Sequence, residues 1–136
     1  MKDLMKTNCY DVEEKMCIIG TCLKNMQKEA YEELEKEYGI IYEVCLEQTH
    51  INMLITKLIG MLSRVKVKKI VFASVDRSPH CVQLHYVENE IRKAMNIDDI
   101  EVIHYIARDN KLHVIPQDVI NISKDLVALK NKLENK

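Results

Sequence analysis

Apolar residues in this chain fall into short blocks whose spacing changes from one block to the next. Lys15-Met16-Cys17-Ile18-Ile19-Gly20-Thr21 is a continuous apolar run that ends at a glycine, as a buried strand does. Leu23, Met26, Ala30, Leu34 and Tyr38 then recur at helical intervals, with Lys24, Lys28, Glu32, Glu35 and Lys36 on the solvated side. Gly39 stands where a C-terminal cap belongs. Ile40–Leu46 reads as a second strand, and Thr49 as the cap of a second helix. That helix carries a stripe of Ile51, Leu54, Ile55, Leu58, Ile59 and Leu62, widened by Met53 and Met61. Lys68–Val75 is a third strand. A helix from about Pro79 to Met95 follows, with Leu84, Val87, Ile91 and Ala94 inward. Ile100–Ile106 alternates apolar and polar residues, as a strand near an edge does. Asp109-Asn110-Lys111 is a turn signal, and Leu112–Ile115 an antiparallel fifth strand. The last helix starts near Pro116 and Asp118 and uses Val119, Ile122, Leu126, Leu129 and Leu133. Residues 1–14 lack such a pattern and are expected to form a flexible N-terminal extension, leaving 15–136 as a single α/β domain.

Alternating strands and helices predict a three-layer sandwich around a mainly parallel sheet of four to five strands. Right-handed crossovers leave few arrangements. The expected strand order is 2-1-3-4, flavodoxin/Rossmann-like, with the fifth strand antiparallel at the far edge.

Composition narrows the partners. The net charge is −1 and no basic face is visible, so nucleic acid is not expected as a partner. No apolar run approaches ~20 residues, so no membrane span is expected. The first six residues lack the apolar core of a signal peptide, and a cytoplasmic location is expected. Five cysteines, an odd number, argue against a disulfide framework. Three glycines in the whole chain leave no room for a glycine-rich phosphate loop. The wide stripe on the second helix suggests a homodimer built on the second or third helix.

Open parallel sheets bind ligands outside the carboxyl ends of their strands. The sequence places Gly20-Thr21-Cys22 after the first strand, Cys45-Leu46-Glu47-Gln48-Thr49-His50 after the second, and Asp76-Arg77-Ser78-Pro79-His80-Cys81 after the third. Each junction brings a cysteine to one edge, and two bring a histidine. The first three helices also begin without the acidic residue usual in a first turn, so their positive ends face that edge uncompensated. Cys22, Cys45 and Cys81 with His50 would suffice for zinc, and an iron–sulfur cluster is the other metal option. Thr21, Glu47 and Ser78 are the polar groups placed to touch a bound cofactor. Alternatively Cys81 is a nucleophile with His80 as its base and Arg77 holding an anionic substrate. His85 shares a helix face with Cys81 and is able to join the site. His104 and His113 read as exposed strand residues, and Cys17 as core.

Cysteines on strand-end loops, carried here by Gly20-Thr21-Cys22 and Ser78-Pro79-His80-Cys81, resemble the flavodoxin-like iron–sulfur domain of hydrogenase small subunits. That family has paired cysteines after its first strand, and this chain has Cys22 alone. The resemblance implies a metal- or iron–sulfur-binding redox protein with a redox partner protein. The other expectations are a cysteine-dependent enzyme for a small anionic ligand, or a dimeric interaction module whose thiols are incidental.

Overall fold

Among residues 1–135, which the computed structural model describes, six strands form one sheet. They are β1 (Lys2–Asp3), β2 (Lys15–Gly20), β3 (Ile41–Val44), β4 (Lys69–Val75), β5 (Glu101–Arg108) and β6 (Lys111–Val114), in the order β1-β3-β2-β4-β5-β6. Every pairing is parallel except the β5–β6 hairpin. The expected order of the main strands and the antiparallel edge both hold. The sixth strand comes from the segment expected to be a loose extension. Lys2 and Asp3 pair with Tyr42 and Glu43, and Leu4 in the 3-10 turn Leu4–Lys6 is fully buried. One apolar anchor with a backbone ladder seats residues that show no periodicity of their own. Leu4→Ala is expected to cost about 2–5 kcal/mol, read as a lower urea midpoint; an unchanged midpoint would mean the segment is not held.

Alternate residues of each central strand enter two separate cores, as the two-residue period requires. Met16, Ile18, Ile70 and Phe72 pack with Leu54, Leu58 and Met61 of α3 (Ile51–Leu62) and with Val87 and Ile91 of α4 (Val87–Ala94). Cys17, Ile19, Val71 and Ala73 pack on the other face with Leu23, Ala30, Tyr31 and Leu34. Of the wide stripe on the second helix, Leu54, Leu58 and Met61 are buried within the chain, Ile51, Ile55, Ile59 and Leu62 are half-buried, and Met53 is exposed.

Three expected helices are broken or shifted. The first is α1 (Leu23–Met26) and α2 (Lys28–Tyr38), interrupted at Gln27 and closed by Gly39 at φ 73°. The last is α5 (Gln117–Ser123) and α6 (Leu126–Glu134), which Asp125 separates by capping the second piece through Ala128 N–H. The helix expected from Pro79 opens instead as a 3-10 coil, Cys81–Tyr86, before α4. Side chains near both ends of that coil meet the sheet, Cys81 at the end of β2 and His85 at Ser74 of β4. Among the described residues no helix is long and apolar enough to cross a membrane.

Candidate functional site

The chain leaves β2 toward β3 on one side and reaches β4 on the other, so strand order reverses between β2 and β4. A crevice opens at such a point, beyond the carboxyl ends of the strands. Gly20 ends β2 there. A methyl group on Gly20 would lie 3.1 Å from Cys81 Sγ and 4.0 Å from Ser74 Cβ. A side chain there would press on the Cys81 thiol, which would have to give by a few tenths of an ångström. The Cys81 N–H donates to Ser78 Oγ at 3.3 Å, which fixes the loop before it. Arg77 adopts a left-handed φ of 65°, and its N–H donates to Asp76 Oδ1. Asp76 accepts from Arg108 at 3.3 Å, whereas Arg77 is exposed and has no carboxylate partner among the described residues.

Cys22 and Cys45 reach the same edge from β2 and β3. The Cys22 thiol is raised above its ordinary value by partial burial first, then by the charges of Cys81, Cys45 and Glu47. Charges from the other two junctions thus bear on the Cys22 thiol. Cys45 and Thr21 also line a cavity of about 300 Å³ shared with Lys6 and Glu43. Other expected partners are elsewhere. His80 and Glu47 are exposed, and His50 is an exposed residue before α3 that makes no side-chain cap bond. Among the described residues no group of three or more His, Cys, Asp or Glu side chains is arranged to hold a metal ion. Cys22, Cys45, Cys81 and His50 would have to turn toward a common point to do so. The helix starts at Leu23, Ile51 and Cys81 carry no acid in their first turns, but the first belongs to the four-residue α1 and the last to a 3-10 coil, and Glu29 and the pair Glu88 and Glu90 stand in the first turns of α2 and α4 that follow them. Cys17 is core, its thiol pushed up to about 12 by burial and then by Glu37. Cys9 packs against Gly60 near the far end of α3.

The largest feature the sequence reading missed lies under the crevice. His104, expected to be exposed, is 4% exposed, and His85 is 2% exposed. The register places His104 beside Phe72, so it faces α4 rather than solvent. Ser74 Oγ is 2.7 Å from His85 Nε2, and His85 Nδ1 is 2.9 Å from His104 Nδ1. His104 Nε2 is 2.7 Å from Glu88 Oε1, and Arg92 donates to Glu88 Oε2 through Nε at 2.9 Å. Asp98 holds the outer end of Arg92 at 3.0 Å. A hydrogen-bonded string thus runs from solvent to the switch point. The i, i+3 spacing of His85 and Glu88 was visible in sequence, but the strand histidine that joins them was not.

Burial would push the Glu88 carboxyl up; hydrogen bonds from His104 and Arg92 outweigh it and hold the group below the usual carboxylate range. His85 is pushed down to about 3, by burial first and by His104 second. Between the ordinary value of 6.5 and about 3, the unfolded chain therefore takes up a proton at His85 that the folded chain refuses. Stability from this group is full above 6.5 and falls as pH drops through that window. Glu88 adds a loss of the same sign below its unfolded value of 4.5, as pH falls through its lower folded value. A urea midpoint that declines between about pH 7 and pH 4, with a shallower slope in His85→Gln, is the expected result. A flat wild-type profile would contradict the burial of a neutral His85.

Residues 12–136 match the family model of a Rossmann-like domain, and the chain belongs to that family. No curated protein and no solved structure matches it. The resemblance to the hydrogenase iron–sulfur domain is upheld as far as an α/β fold of the flavodoxin/Rossmann type.

Proposed function

We propose that this Rossmann-like domain is a small cysteine-dependent enzyme for an anionic small molecule bound at the switch point, with Cys81 as the working thiol. The observation that carries this reading is the seat of Cys81 at the Gly20 end of β2, where strand order reverses and the chain brings Cys22 and Cys45 to the same sheet edge. Arg77, exposed and without a carboxylate partner among the described residues, is the cation for the anionic group. Ser78 fixes the Cys81 backbone, and Thr21 and Cys45 wall the neighbouring cavity. His80, which faces solvent, is not assigned the role of base.

Site-resolved alkylation of the full chain tests this with iodoacetate, which is anionic, and iodoacetamide, which is neutral. Cys81 is expected to outpace Cys9 with both reagents. Arg77→Gln is expected to slow iodoacetate at Cys81 several-fold and to leave iodoacetamide unchanged. A Cys81 no faster than Cys9 with either reagent removes the reading. Joint protection of Cys22, Cys45 and Cys81 by added zinc is the result that would favour the metal or iron–sulfur reading instead, with His50 as the fourth ligand. That alternative draws on the same convergence of thiols, without an assembled ligand group.

A further inference from the structure

We propose that Ser74, His85, His104 and Glu88 form a proton relay that takes the thiol proton of Cys81 and stores it on His104. The inference rests on the reading of Cys81 as the working thiol and says where its proton goes. The distances along the string allow only consistent donor–acceptor patterns. Glu88 is a carboxylate and accepts, so His104 Nε2 carries a hydrogen. His85 is neutral and has one N–H to share between Ser74 and His104.

Two patterns remain, and they differ by one proton. When His104 is neutral, its bare Nδ1 accepts from His85 Nδ1–H, and His85 Nε2 accepts from the Ser74 hydroxyl. The Ser74 lone pairs then face the crevice. When His104 is an imidazolium, its Nδ1–H donates to His85 Nδ1, and His85 Nε2–H donates to Ser74 Oγ. The Ser74 hydrogen is then free to point at the crevice. The two states interconvert by one shift along the string. Cys81 S–H gives its proton to Ser74 Oγ, the Ser74 proton moves to His85 Nε2, and the His85 proton moves to His104 Nδ1. The products are a Cys81 thiolate and a His104 imidazolium paired with Glu88. No oxidant and no further reactant is required. Reversal returns the proton to a leaving group in the crevice.

Ser74 Cβ and Cys81 Sγ border the same point at the end of β2, 4.0 Å and 3.1 Å from the position a Gly20 Cβ would take, and the first transfer requires the thiol to turn onto Ser74 Oγ there. Burial of Ser74 at 0% and His85 at 2% keeps water from short-circuiting the string. Other charges surround it in compensated pairs. Arg92 bridges Glu88 and Asp98, and Asp76 is paired with Arg108. His85 also walls a cavity of about 370 Å³ whose other titratable members are Asp76, Arg108, His113 and Tyr86. Among these, His113 is exposed.

Two measurements on the full chain test the relay. Nitrogen-15 NMR of the histidines near neutral pH is expected to show hydrogen on His85 Nδ1 and on His104 Nε2. The rate of Cys81 alkylation by iodoacetamide against pH is then compared in wild type, Ser74→Ala and Glu88→Gln. Ser74→Ala cuts the string at the thiol, and Glu88→Gln keeps an acceptor for His104 but removes the charge that steadies the imidazolium. Each is expected to slow Cys81 near neutral pH by about tenfold or more and to move the profile to higher pH. Cys9 is expected to keep its wild-type profile. Either opposite tautomer, or a reactive Cys81 whose profile neither variant moves, overturns the relay while the thiol reading stands. A wild-type Cys81 no faster than Cys9 removes both.

Discussion

Glu88→Ala is expected to destabilise the fold by about 3 kcal/mol. Glu88 is 7% exposed and holds two partners, His104 Nε2 at 2.7 Å and the Arg92 fork at 2.9 Å. Alanine leaves the His104 N–H buried with nothing to accept it. Arg92 loses less, because it is partly exposed and keeps Asp98 at 3.0 Å. Most of the penalty therefore falls on the imidazole, and Glu88→Gln, which still offers an oxygen, is expected to lose only about 1 kcal/mol. Urea unfolding near neutral pH reads both. A Glu88→Ala loss within about 0.5 kcal/mol would mean that the string adds nothing to the fold.

The second large effect is at Phe72. It is 1% exposed and its ring stacks on His104, centroids 5.3 Å apart and planes 17° from parallel. Phe72→Ala is expected to cost about 3–5 kcal/mol, from lost transfer energy and the cavity left behind. The same cavity opens the histidine pair to water. His85 then returns toward its ordinary value, and the acid-side fall in stability becomes shallower than in wild type. A large loss with an unchanged pH slope would show that Phe72 packs the core without shielding the histidines.

Much of this fold was legible because its signals are local. The runs at Met16–Gly20, Ile40–Leu46 and Lys69–Val75 read directly as central parallel strands, and the Asp109–Asn110 turn read as a hairpin. The edge that carries Cys22, Cys45 and Cys81 followed from parallel pairing alone. What was not legible depends on contacts distant in sequence. Leu4 has no periodic neighbours, and it is seated by the pairing of Lys2 and Asp3, just before it, with Tyr42 and Glu43. His104 sits in an alternating strand that reads as wet, and only the register opposite Phe72 turns it inward. His80 is adjacent to Cys81 in sequence and is exposed. The structure supplies an imidazole to this corner from His85, through Ser74. Adjacency in sequence was a poor guide here because the Cys81–Tyr86 coil is wound as 3-10, which sets its own facing.

The account stands on one geometric claim, that the thiols from three separate junctions meet at the switch point. Cross-linking of the full chain with a short bifunctional thiol reagent such as dibromobimane, followed by peptide mapping, measures it directly. Cys22–Cys81 and Cys22–Cys45 bridges within one chain are the expected products, and Cys9 is expected to stay out of them. Cross-links that join Cys9 to Cys22 or Cys81, or that form only between chains, would contradict it.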